Sequence, residues 1–259
     1  MARCGYAAVV YYKRGVGPSG GSYAEATYDD FIDDVGSIAG QLAEHPDIDP
    51  ANIGAAGGSG GGFVASIAAA RFPEISFAIN KSGPIVAQEE AGNFNINYAL
   101  RSRGYADSLV DQVLPLWKKH HAAWAHADTA VLQAVAMEIN DMRKRYDTFL
   151  LPTPYNEVFS DSNLVFLWPQ FRSASRDYLV EMETMKKKYL CIYGENDPIM
   201  PVASCVWNIE KLMNMSENEQ YAVIVLPDVG HSFENNVTRR QIPAIRTVIN
   251  WLDENVGAK

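Results

Sequence analysis

The sequence predicts an α/β fold: a mostly parallel sheet flanked by helices and carrying a helical insertion. Three observations lead there. Short apolar runs alternate with amphipathic stretches through residues 5–80 and again through residues 189–255. Between those two regions, residues 88–187 show helical spacing without strand-like runs. Finally, Gly57-Gly58-Ser59-Gly60-Gly61 joins an apolar run to a small-residue helical run, which is the context of a sharp strand-to-helix turn with a serine at its apex.

Each element has its own reason. Residues 5–12, rich in Val, Tyr and Ala, read as a strand, and the Gly/Pro/Ser segment 15–22 as a loop. Residues 27–43 read as a helix because Phe31, Val35, Ile38, Ala39 and Leu42 recur at helical spacing. Ile48-Asp49-Pro50 is a turn. Residues 52–56 form a strand and 62–71 a helix, with Ser59 between them; residues 75–80 form the next strand, closed by Ser82-Gly83-Pro84. In the insertion, Val110, Val113, Leu116, Trp117 and Trp124 suit one face of a helix, and Leu132, Val135, Ile139, Met142 and Tyr146 suit another. Pro152, Pro154 and Pro169 interrupt the remainder of the insertion. Residues 189–193 and 221–226 are then strands, and 202–213 and 238–255 helices. The expected division is a core of residues 1–84 and 188–259, with an insertion of residues 85–187.

The 259 residues suffice for one large domain or a domain with an insert. A composition of 47% hydrophobic and 20% charged residues is that of an ordinary soluble globular protein. No apolar run approaches the roughly 18 residues of a membrane span. The start, Met1-Ala2-Arg3-Cys4-Gly5, shows no signal-peptide pattern, so the chain as written reads as cytoplasmic. A net charge of −9 argues against nucleic acid or an anionic membrane as the main partner. Cys4, Cys191 and Cys205 have neither metal-ligand spacing nor the makings of a disulfide framework. Cys191, inside an apolar strand, reads as a buried inert thiol.

In open parallel sheets, catalytic groups gather at the C-terminal ends of the strands. Ser59 follows one strand end. Gly194-Glu195-Asn196-Asp197-Pro198 follows a second, and Pro227-Asp228-Val229-Gly230-His231 a third. A serine, an acid and a histidine thus lie on three loops of one edge, in the order Ser…Asp…His. The chemistry needs these types. A serine hydroxyl is a weak nucleophile at neutral pH, and a histidine can take its proton and return it to the leaving group. A carboxylate fixes the imidazole tautomer and stabilises the imidazolium. An oxyanion hole holds the tetrahedral intermediate.

These residues resemble the α/β-hydrolases, in particular the bacterial carboxylesterases and serine-aminopeptidase-like hydrolases. The matching stretches are YYKRGVGPSGGSY (11–23), IGAAGGSGGGFVASIAAARFP (53–73), the NKSGP turn, YGENDPIMP (193–201) and LPDVGHSF (226–233). The resemblance implies an α/β-hydrolase fold with a helical lid over the site, Ser59 as nucleophile, Asp197 as acid, His231 as base and the Gly60 amide as one oxyanion donor. It implies no cofactor. The activity implied is cleavage of carboxylic esters with small to medium acyl chains through an acyl-enzyme on Ser59, acting on a small-molecule acyl ester substrate. A peptidase or thioesterase uses the same triad.

Two departures from the family pattern stand out. Tyr11-Tyr12-Lys13-Arg14-Gly15 replaces the usual Tyr-Asp-Lys-Arg-Gly. In the family, moreover, further strands and a glycine-rich loop bearing the second oxyanion amide precede the strand at 5–12. Relative to the family the chain therefore reads as N-terminally truncated. The gene model is clipped (in which case a signal peptide could have gone with it), or the sheet is rearranged, or another chain fills the gap. Unpaired strand edges invite association, so a homo-oligomer formed through an exposed sheet edge is an expected partner state. Loss of one oxyanion donor by itself predicts a rate lower by about 10²- to 10³-fold, which opens the alternative of a non-catalytic or weakly active binding protein of the same fold.

Other readings of these residues are weaker. Gly60-x-Gly62-x-x-Ala65 fits a loose dinucleotide fingerprint, but the next strand ends in Asn80-Lys81 rather than an acid, and no Lys-Ser/Thr comes after the glycines for a phosphate loop. Glu195 and Asp228 compete with Asp197 for the acid; Asp228 reads better as a turn residue. His120, His121 and His126 do not share the spacing of a metal site and read as a solvated helix. Trp117, Trp124, Phe166 and Trp168 are the candidates to line an acyl pocket. Arg14 is expected to position the loop after its strand.

Overall fold

Four short strands, β1 (Gly54–Gly58), β2 (Phe77–Lys81), β3 (Lys188–Gly194) and β4 (Tyr221–Leu226), pair in parallel in the order β1-β2-β3-β4. The structure is a computed structural model. It describes residues 4–126, 128–146, 173 and 176–257. Helices α1 (Tyr28–Ala43), α2 (Gly60–Arg71), α6 (Val202–Met215) and α7 (Ala244–Asn255) flank the sheet. Helices α3 (Gln88–Ser102), α4 (Asp107–Ala125) and α5 (Thr129–Tyr146) lie between β2 and β3 in sequence.

The strands sort their side chains by alternation. Ala78, Tyr189, Cys191 and Tyr193 face the cluster built with α1, α2 and α6; Phe77, Ile79, Leu190 and Ile192 face the cluster that includes Trp251 and Leu252 of α7. Helix α2 is buried from Gly62 to Ala69, so it presents small and apolar residues on every side and packs between the sheet and α1. Burying a side chain such as Ile67 there contributes about 1.5–3 kcal/mol. Thr27 starts α1 with a reciprocal cap: its hydroxyl accepts the Asp30 amide, and the Asp30 carboxylate accepts the Thr27 amide. Arg14 pairs with Asp30 and Asp34 at 2.6 Å each, which fastens the loop around it to α1.

Helices α3, α4 and α5 build a separate core of Ile96, Leu100, Val110, Val113, Trp117, Val135, Ile139 and Met142. The helical periodicities of the insertion are therefore present in the structure. Leu132 is buried as expected, while the side chains of Trp124 and Tyr146, and all of Pro152, Pro154, Phe166, Trp168 and Pro169, lie outside the described residues.

Two expectations fail. Residues 5–12 form no strand. Their backbone has no neighbouring strand among the described residues to complete a ladder, and Val9, Val10 and Tyr12 are more than half exposed, so no sheet face holds them. The last helix begins at Ala244 rather than 238. Pro243 stands just before it and biases Ile242 away from helical geometry; Glu234 and Gln241 instead form an antiparallel bridge. No helix among the described residues is long and apolar enough to cross a membrane.

Candidate active site

Because all four strands are parallel, their C-terminal ends share one edge, and Ser59, Asp197 and His231 each lie just past one of them. Ser59 occupies the N-cap of α2 with φ 53° and ψ −128°. Such a conformation in a non-glycine residue costs of order 1–3 kcal/mol. It is held by three backbone bonds: the Ser59 amide donates to Lys81 at 2.8 Å, and the Ser59 carbonyl accepts from Gly62 at 2.9 Å and Phe63 at 3.2 Å. A Cβ on Gly57 would run into the Gly61 carbonyl, so the tight turn needs glycine at its first position, whereas Gly60 and Gly61 face open space. The Gly60 amide opens α2, among the donors that have no intrahelical acceptor. The helix N-terminus favours negative charge there.

On the adjoining strand ends, the Asp197 side chain is fully buried, and its Oδ2 lies 2.7 Å from His231 Nδ1. Its Oδ1 accepts the amides of Ile199 at 2.8 Å and Met200 at 3.0 Å. Three partners thus fix the carboxylate, and the carboxylate fixes the imidazole with Nε2 free to act. The two loops are laced together: the Glu195 amide donates to Leu226 and the Asn196 amide to Val229. Glu195 accepts the Asp228 amide at 3.3 Å, and Asp228 takes φ 57°, so both are loop-shaping residues and neither touches His231. The Ile199 and Met200 amides were not anticipated; the signal for them is an Asp followed by Pro, a common local turn in which the carboxylate accepts amides further on.

The structure joins Asp197 to His231. Ser59 Oγ makes no hydrogen bond among the described residues. Helix α3 reaches this edge: Asn95 donates to the carbonyl of Pro198, next to Asp197, at 3.3 Å. Lys81 lies over the Phe233 ring at 4.5 Å, bridging the end of β2 and the histidine loop.

Trp117 is buried in the core of α3, α4 and α5, with its ring stacked on His120 at 5.6 Å. That corrects the solvated reading of the histidines. His120 is 2% exposed, and burial pushes its pKa down to about 4; burial also lowers His121. Of the three, only His126 is exposed. The described residues hold no group of three or more His, Cys, Asp or Glu that could bind a metal. Cys191 is buried beside Tyr189, and burial raises its thiol pKa, so it is inert. A cavity of about 460 Å³ lies between Glu195, Trp207 and Val225, and one of about 410 Å³ between Phe63, Val86 and Tyr178; Ser59 and His231 line neither.

A family model described as serine aminopeptidase, S33, matches residues 1–237. The chain belongs to this family of α/β-hydrolases. Solved structures of the same fold include an esterase of Pyrococcus furiosus, 15% identical, with a TM-score of 0.53 over 94% of this chain and 68% of that one. A puromycin-hydrolyzing peptidase of Mycobacterium tuberculosis is 14% identical, with a TM-score of 0.51 over 88% of this chain and 26% of that longer one. No curated protein matches the sequence. Within the family's fold, the strand-to-helix turn at Ser59 and the loops bearing Asp197 and His231 occupy one edge of the sheet.

Proposed function

We propose that the chain is a serine hydrolase that cleaves carboxylic esters of small to medium acyl chains through an acyl-enzyme on Ser59. The observation that carries this reading is the 2.7 Å contact between His231 Nδ1 and a fully buried Asp197, on the same sheet edge as the strained Ser59. His231 Nε2 takes the proton of Ser59 Oγ as the oxygen attacks the acyl carbonyl. The Gly60 amide donates to the developing oxyanion. The imidazolium, stabilised by Asp197, returns the proton to the leaving alkoxide; water then repeats the sequence on the acyl-enzyme. Helices α3, α4 and α5 act as the lid, a reading supported by the Asn95 bond to Pro198 at the edge of the site.

A peptidase is the second reading, favoured by the description of the matching family. A panel of p-nitrophenyl esters, thioesters and aminoacyl amides, each run with wild type and Ser59→Ala, separates the readings. Turnover of short esters that vanishes in Ser59→Ala supports the first. Turnover confined to amides selects the second, and full activity in Ser59→Ala removes both.

A further inference from the structure

Strand β2 buries a polar residue in line with the apolar Phe77, Ala78 and Ile79. Asn80 is 0% exposed, between Ile79 and Lys81. A buried carboxamide is costly unless its donors and acceptor are satisfied, and here they are. Asn80 Oδ1 accepts the Gly83 amide at 2.7 Å. Its Nδ2 lies 3.3 Å from Ser66 Oγ, 3.3 Å from the Tyr189 hydroxyl and 3.4 Å from the Gly83 carbonyl. Each of those partners is fastened in turn. Ser66 donates to the Gly62 carbonyl at 2.7 Å and lies 2.8 Å from Tyr189, and the Tyr193 hydroxyl donates to the Gly83 carbonyl at 2.7 Å. Burial raises both phenol pKa values far above neutrality, so both remain protonated.

The network ends at the nucleophile turn. A Cβ on Gly62 would strike Asn80 Oδ1. One on Gly83 would strike the same oxygen and come within 2.8 Å of the Ser59 carbonyl and 2.7 Å of the Phe63 amide. The carboxamide therefore sits between two glycines, with the first turn of α2 on one side and the loop after β2 on the other. Both of those segments hold a strained serine, Ser59 at φ 53° and Ser82 at φ 51°. Strain of this kind persists only where the surroundings over-determine it.

The geometry points to Asn80 as a positioning residue for the reaction: through Gly83 and Ser66 it clamps the first turn of α2, and so sets Ser59 Oγ and the Gly60 amide together. This rests on the serine-hydrolase reading above. Asn80 touches neither His231 nor Asp197, so loosening it displaces nucleophile and oxyanion donor while leaving the base alone.

The test compares Asn80→Ala, Asn80→Asp and Tyr193→Phe with wild type, Ser59→Ala and the core truncation Ile209→Ala, which touches none of the hydrogen bonds of Asn80. All are assayed for kcat, KM, pH profile and thermal unfolding on the best ester of the panel. Asn80→Ala is expected to lower kcat by about 10- to 100-fold, at or below the roughly 10²- to 10³-fold lost when an oxyanion donor is removed outright, with KM little changed. Tyr193→Phe, which deletes only the hydroxyl bonded to Gly83, is expected to lower kcat in the same sense and by less. Asn80→Asp is expected to match wild type best at low pH, where the acid is neutral, and to lose kcat as it ionises beneath the oxyanion site, an inflection absent from wild type. If Asn80→Ala fails to fold, the other two variants decide. Unchanged kcat in them, or losses that Ile209→Ala reproduces at equal unfolding temperature, overturns the role of Asn80. Full activity in Ser59→Ala instead overturns the reading on which the inference rests.

Discussion

Asp197 holds His231 through one oxygen and two backbone amides through the other. Asn at this position keeps the shape, but its NH₂ group meets Nδ1 and favours the wrong imidazole tautomer. Asp197→Asn is therefore expected to lower kcat by about 10⁴-fold with the fold intact, as read by ester hydrolysis alongside circular dichroism. Glu195 shares the loop but contacts only the Asp228 amide, so Glu195→Gln is expected to leave kcat unchanged; a loss comparable to Asp197→Asn would reassign the acid. In the sequence the two carboxylates share one loop, and only the family resemblance favoured Asp197. Asn80 was legible only as an oddity, because its meaning depends on Gly62, Gly83 and Tyr189, which chain spacing does not bring together.

At the scale of elements, the helices α3, α4 and α5 contain a pH-sensitive point. His120 packs against Trp117 in the core of α3, α4 and α5, and burial lowers its pKa from 6.5 to about 4. The unfolded insertion binds a proton between those values and the folded one does not, so stability rises with pH in that window. The insertion is fully stabilised above pH 6.5 and loosens as the pH falls towards 4. Tryptophan fluorescence and helical content should report this transition, and His120→Leu should shift it to lower pH. On the other side of the sheet, Trp251 of α7 packs against Phe77 with ring centroids 6.2 Å apart. Trp251→Ala is expected to cost about 3–5 kcal/mol in denaturant unfolding. The long periodic helices were legible because their burial follows a single repeat. The segment 5–12 misled because a Val/Tyr run specifies a strand only where a neighbour completes its ladder.

For the molecule as a whole, the outer side of β1 has no pairing strand among the described residues, and Gly54, Ala56 and Gly58 are exposed. An open sheet edge is a template for pairing. The chain is therefore expected to self-associate with rising concentration in sedimentation velocity, and Ala56→Lys to weaken that association; a concentration-independent monomer would remove the expectation. The parallel direction of β1 to β4 was legible from the alternation of runs, and with it the edge on which the strand ends gather; their order was not. The state of the sheet beyond β1 depends on long-range pairing that no local pattern specifies. On that shared edge, the proposed acid–base pair of Asp197 and His231 serves Ser59. The most direct measurement is labelling of the folded protein with a fluorophosphonate probe, with the adduct then located by peptide mapping. A single adduct on Ser59 is expected, lost in Ser59→Ala and strongly slowed in His231→Ala. Folded wild-type protein that takes up no probe, or takes it up elsewhere, would contradict that expectation.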